Sequence, residues 1–176
     1  MMTIDVMRDG VVTFRGRPVT LTGGEVKVGG PAPEFTVLGS DFSPLGLNFA
    51  PGAVRILSAV PSLDTEVCDQ QTRRFHEEAA ALDGVAALAV SVDLPFAQAR
   101  WCGASGLDRV WTASDHRDLS FGLAYGVVVA QLRLLARAVF VVDPADQLVH
   151  VEYVAEIGAH PDYEQALAVA RSTLNR

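Results

Sequence analysis

The sequence predicts an α/β fold: a mixed central sheet flanked by helices, with a β-hairpin ahead of it. Three observations carry this. The apolar, β-branched-rich runs at residues 54–60 and 85–92 read as strands buried on both faces. Between them, residues 66–82 place Val67, Phe75, Ala79 and Leu82 along one stripe at helical spacing. Near the end, Asp143-Pro144-Ala145-Asp146-Gln147 reads as a turn joining a strand at residues 136–142 to its partner at 148–154.

Taken in order, the chain opens with a hairpin over residues 11–21, in which Gly16 and Pro18 supply the turn. The glycines at 23–24 and 29–30 mark a flexible connection. Residues 34–38 alternate as a strand does, and residues 39–46 read as turn. Asp83-Gly84 ends the first long helix. Asp93-Leu94-Pro95 starts a second, with Asp93 as cap and a helix over 96–102 ending at Gly103. A short strand is expected at 110–112, a short helix at 118–125 stopped by Gly126, and a closing helix at 162–174. That helix turns Tyr163, Ala166, Leu167 and Ala170 inward. Strand–helix–strand crossovers followed by a hairpin and a final helix make a thioredoxin-like architecture.

About half of the 176 residues are apolar, which suits a single domain over 1–176 with a substantial core. The net charge of −7, with Lys27 as the one lysine, offers no basic face for nucleic acid. No apolar run approaches the roughly 20 residues needed to span a bilayer, and residues 1–10 carry no secretory h-region. The expectation is a cytoplasmic protein without membrane or nucleic-acid partners. Two cysteines are no disulfide scaffold and form no CxxC pair. The four histidines lack ligand spacing, so no metal site is expected.

One stretch concentrates chemistry: Val60-Pro61-Ser62-Leu63-Asp64-Thr65-Glu66-Val67-Cys68, a strand that stops at a proline and restarts as a helix. Cys68 then sits at a helix N-terminus, where partial positive charge favours the thiolate. Asp64, Glu66 and Asp69 push the other way, so a cation from elsewhere in the fold is expected. Arg137 is the candidate, because its strand is apolar on both faces and a buried guanidinium needs an anionic partner. A thiolate or developing oxyanion would serve, and so would a structural carboxylate. Thr65 fits two readings, a helix N-cap or a hydroxyl sharing a cavity with the sulfur. Pro61 either shields the sulfur or simply terminates the strand. Cys102, beside Trp101, is either a buried small hydrophobe or a second reactive thiol.

These residues resemble a known family. Pro61 to Cys68 is similar to the PxxxTxxC motif of peroxiredoxins, and its Ser-x-Asp-Thr-x-Val-Cys form to their atypical two-Cys, thiol peroxidase subfamily. Further matches are Ser91-Val92-Asp93-Leu94-Pro95-Phe96-Ala97-Gln98 running on to Cys102, Ala124-Tyr125-Gly126, Ala136-Arg137-Ala138 and Pro161-Asp162-Tyr163-Glu164. The segment between Gly126 and Arg137 is shorter than the family pattern. The resemblance implies a peroxidatic Cys68, a resolving Cys102, and Thr65 and Arg137 as the activating pair. It implies hydroperoxide reduction through a Cys68 sulfenic acid and a Cys68–Cys102 disulfide, with thioredoxin as electron donor, a homodimer, and no cofactor. A redox sensor using the same disulfide as a switch is the alternative. Leu63, Phe96, Trp101 and Phe121 fit two readings, the rim of an apolar pocket suited to organic hydroperoxides or part of the core or a dimer surface.

Overall fold

The computed structural model describes residues 6–107 and 111–176. In chain order its elements are β1 (Met7–Phe14), β2 (Arg17–Thr22), β3 (Thr36–Leu38), β4 (Pro44–Gly46), a 3-10 turn (Leu47–Phe49), β5 (Val54–Ala59) and α1 (Glu66–Ala80). There follow β6 (Val85–Ser91), α2 (Pro95–Ser105), β7 (Thr112–Ser114), α3 (Ser120–Ala124), β8 (Val128–Val129), β9 (Leu134–Leu135), β10 (Ala138–Val142), β11 (Leu148–Tyr153) and α4 (Tyr163–Leu174). The main sheet has the order β11-β10-β5-β6-β7-β3-β4. Its central strands β5, β6 and β7 pair in parallel, as crossover helices require, and the outer pairs are antiparallel. The N-terminal hairpin joins β8 and β9 in a separate four-stranded sheet. None of the described helices is long and apolar enough to cross a membrane.

The sheet is packed on both faces, and the parity of its residues says which. On β10, Ala138, Phe140 and Val142 join one core with Phe121, Tyr125 and the hairpin residues Val12 and Leu21. Val139 and Val141 point the other way, into a core with Phe75 and Ala79 of α1 and Ala166, Leu167 and Ala170 of α4. An odd-numbered residue at this strand's start therefore shares a face with α1. Arg137 is that residue. It lies one position ahead of β10 and is 2% exposed.

Several boundaries differ from those read in the sequence, each for a local reason. Pro18 lies within β2 rather than in the turn, and residues 44–46 form an edge strand. The segment between Gly126 and Arg137 holds the β8–β9 pair. The α3 helix is shorter than expected, and Val110 of the expected strand lies outside the described residues. Asp93 does not cap α2. The N-cap is Leu94 with no side-chain bond, and the Asp93 carboxylate is engaged elsewhere. The helix also runs through Gly103, which costs only about 1 kcal/mol in a helix interior. It stops at Gly106, whose φ of 70° is the left-handed turn that ends helices.

Asp115, 2% exposed, accepts from the backbone N–H groups of Phe121 (3.2 Å) and Gly122 (2.7 Å) and anchors α3. Burial raises its pKa to about 6, against the lowering effect of those N–H donors. A carboxyl raised in the folded state stabilises the fold fully below its unfolded value, and that stability is lost as pH rises through about 6. At roughly 1.4 kcal/mol per unit, ionised Asp115 costs on the order of 3 kcal/mol. Urea midpoints should therefore show Asp115→Asn gaining on the wild type between pH 4.5 and 7. Parallel pH curves would refute this.

Candidate active site

The polar residues of α1 explain the site. Cys68, Gln71, Thr72, Phe75, His76 and Ala79 form its buried face, while Val67 and Leu82, expected inward, are only half-buried. Cys68 is the third residue of the helix, so its N–H is among the first-turn donors without an intrahelical acceptor. Its side chain is 0% exposed and packs with Val60, Leu63 and Trp101.

Arg137 reaches this thiol. Its Nη2 donates to Cys68 Sγ (3.3 Å), Nη1 to Gln71 Oε1 (2.8 Å) and Nε to the Ile157 carbonyl (2.8 Å). Gln71 in turn donates through Nε2 to Ser58 Oγ (2.7 Å), on the same face of β5. No carboxylate among the described residues lies within ion-pair distance of Arg137. Its three bonded acceptors are an amide, a peptide carbonyl and a sulfur. Of the two readings of Arg137, the carboxylate partner is thus not found, and the sulfur is the one acceptor able to carry a negative charge.

Thr65 occupies the N-cap position of α1 but makes no side-chain capping bond. Its Oγ1 donates to the Ser62 carbonyl (3.2 Å). Together with Pro61, Val67, Arg137, Phe14, Ile157 and Gly158 it lines a cavity of about 180 Å³. Four of the five sequence-predicted residues are thereby gathered at one place: Cys68 and Arg137 by a hydrogen bond, and Pro61, Thr65 and Arg137 by a shared cavity. The apolar walls are Phe14, Val67 and Ile157, and none of Leu63, Phe96, Trp101 and Phe121 lines this cavity. Phe121 is core, Phe96 is 71% exposed, and Leu63 and Trp101 lie on the other side of the loop, beside Asp64 and Asp69.

Cys102 is not brought to Cys68. Both thiols are free. Cys102 Sγ sits 3.4 Å from Thr112 Oγ1 and faces a different cavity, of about 740 Å³, lined also by residues of the 39–45 segment and Trp111.

Three supporting features were not anticipated. Asp93 accepts from Ser62 Oγ (2.7 Å), the Leu63 N–H (2.8 Å) and Ser91 Oγ (2.7 Å), fixing the loop that leads to Cys68. Gln71 orients Arg137. Its polarity at a position three residues after Cys68, on the helical face carrying Phe75, was the available signal. Glu156 accepts from Thr13 Oγ1 (2.5 Å) and from the Arg15 and Gly16 N–H groups, tying the hairpin to the residue before Ile157. The Thr13 hydrogen bond and these N–H donors hold its pKa down at about 2. Among the described residues, no group of three or more His, Cys, Asp or Glu side chains is placed to hold a metal ion.

Comparison with known proteins fits this geometry. The family model described as Redoxin matches residues 27–167. A thiol peroxidase of Halalkalibacterium halodurans is 61% identical over 163 residues, spanning 93% of this chain and 98% of the relative. The thiol peroxidase of Bacillus subtilis is 56% identical over 161 residues, spanning 92% and 96%. Among solved structures, a peroxiredoxin-like protein from Aquifex aeolicus superposes with a TM-score of 0.86 at 38% identity, over 95% of this chain and 98% of that one. A thiol peroxidase from Chromobacterium violaceum, at 17% identity and a TM-score of 0.83 over 92% and 95%, shares the fold.

Proposed function

We propose that this chain, which belongs to the Redoxin family and is a peroxiredoxin-type peroxidase, reduces hydroperoxides at Cys68 and resolves the product with Cys102. The observation that carries the reading is the buried guanidinium of Arg137, bonded to Cys68 Sγ at 3.3 Å with no carboxylate partner among the described residues. Such a charge is tolerated in the interior when an anion meets it, and a thiolate is that anion.

In the first step the Cys68 thiolate attacks one peroxide oxygen and the O–O bond breaks. Sulfur is oxidised by two electrons to a sulfenic acid. The other oxygen leaves as hydroxide or alkoxide and takes up a proton to become water or an alcohol. Donors preset toward the breaking bond stabilise the charge that grows on that oxygen. Arg137 and the first-turn N–H groups of α1 fit that role, with Thr65 and Pro61 shaping the approach. In the second step Cys102 attacks the sulfenic sulfur and expels water, leaving a disulfide. A disulfide requires Cα atoms roughly 4.4–6.8 Å apart, so both helix ends must loosen locally. A thioredoxin-type dithiol then reduces the disulfide. The chain would act as a single domain, as a homodimer, in the cytoplasm, where free thiols persist.

Peptide mapping tests this directly. One equivalent of hydrogen peroxide should give a Cys68–Cys102 linked peptide in the wild type. In Cys102→Ser it should give a dimedone-trappable sulfenic acid on Cys68. With a thioredoxin system, the wild type should consume many equivalents. Consumption that halts after one equivalent would mark a sensor instead.

A further inference from the structure

Asp69 and Trp101 are the chain neighbours of the two thiols, and they are bonded to each other. Asp69 Oδ1 accepts from Trp101 Nε1 (2.8 Å), and Oδ2 accepts from Arg73 Nε (2.9 Å). Arg73 then donates through Nη1 to the Ser105 carbonyl at the end of α2 (2.6 Å), with its guanidinium carbon 5.5 Å from the Trp101 ring centre. Ser105 Oγ donates to the Cys102 carbonyl (2.8 Å). The start of α1 and the end of α2 are thus joined by two bridges, one on each side of Cys102 in sequence.

The indole also stands in the way. Trp101 packs against the group formed by Val60, Leu63 and Cys68, whereas Cys102, about 100° further round the helix, faces Thr112. Bringing Cys102 to Cys68 requires α2 to turn or unwind until Trp101 leaves its place. Both bridges break in that motion. Neither is needed for the first chemical step, since none of these side chains bonds to Cys68 Sγ or Arg137.

Building on the two-thiol reading above, we infer that the Asp69–Arg73–Trp101 clasp is a positioning device that sets how long the Cys68 sulfenic acid waits for Cys102. Waiting has a chemical consequence. A second hydroperoxide can transfer an oxygen atom to the sulfenic sulfur, giving sulfinic acid and releasing water or alcohol. A tight clasp favours that branch, and a loose one favours the disulfide.

The test follows the full-length reduced chain by acid-quenched intact mass after mixing with increasing excesses of hydrogen peroxide. Sulfenic, disulfide and sulfinic forms differ in mass. Asp69→Ala removes the bridge to Trp101 and the carboxylate that orients Arg73 toward Ser105, and its resolution step should accelerate about tenfold, equivalent to about 1.4 kcal/mol. Trp101→Phe keeps a ring but loses the N–H donor, and should accelerate it several-fold. This second variant leaves the charge near Cys68 unaltered. In both, a larger peroxide excess should be needed to reach half sulfinic acid, while sulfenic acid formation stays within about twofold. A change in global stability alone would not move that partition. Resolution at the wild-type rate in both variants, or slower, overturns the clasp. A wild type that forms no Cys68–Cys102 disulfide overturns the clasp together with the reading it rests on.

Discussion

Cys68→Ser should leave hydroperoxide consumption at the uncatalysed background, with the fold retained. The side chain is 0% exposed, and serine differs from cysteine by one atom of similar size, so the packing against Val60, Leu63 and Trp101 survives. Serine Oγ can also accept the Arg137 hydrogen bond, which limits the loss of stability to roughly 1–3 kcal/mol. What disappears is the nucleophile, because a serine hydroxyl stays protonated at neutral pH and oxygen cannot take the sulfenic state. Peroxide depletion measured alongside circular dichroism separates chemistry from folding. A Cys68→Ser protein that keeps even a tenth of wild-type turnover would falsify the assignment. Cys102→Ser should behave differently, with one rapid burst and then poor turnover with thioredoxin.

The second large effect is expected at Arg137. Arg137→Met removes the donor to Sγ and should slow Cys68 oxidation by about a hundred- to a thousandfold, the loss seen when one preset donor is deleted from an anion-stabilising site. Gln71 Oε1 and the Ile157 carbonyl also lose their donor, at about 1–3 kcal/mol each, partly offset because a buried charge is no longer confined. Arg137→Lys is the informative companion. It restores the charge but not the planar fork, and one ammonium cannot meet three acceptors spread around the guanidinium plane. Lysine should therefore recover part of the lost rate and little of the stability. Stopped-flow oxidation of Cys68 set against thermal melting resolves the two. Equal rates for all three proteins would remove Arg137 from the chemistry.

Much of this was legible in the chain because local rules dominate where the sequence is regular. The β-branched runs gave β5 and β6, and the helical stripe gave α1. Strand apolarity on both faces forced Arg137 inward, where β10 parity places it opposite α1. Asp93 shows where such rules stop. An Asp before Leu-Pro is a good cap by type, but this carboxylate is taken by Ser91 two residues back and by Ser62 and Leu63 at the end of the neighbouring strand. No local pattern encodes the two distant partners, Ser62 and Leu63. The clasp is legible only in part. Arg73 pairs with Asp69 from four residues further along the same helix, a local spacing, whereas the indole N–H of Trp101 arrives only with the approach of α2. The pocket walls were not legible for a related reason. Phe14 comes from the hairpin, more than fifty residues before Cys68.

That hairpin is more than an appendage. Glu156 grips its turn, the next residue's carbonyl receives Arg137 Nε, and Phe14 walls the cavity above. A substitution or a bound partner at the hairpin turn therefore acts on the reaction centre through three short links. Contacts made there become variables of the kinetics.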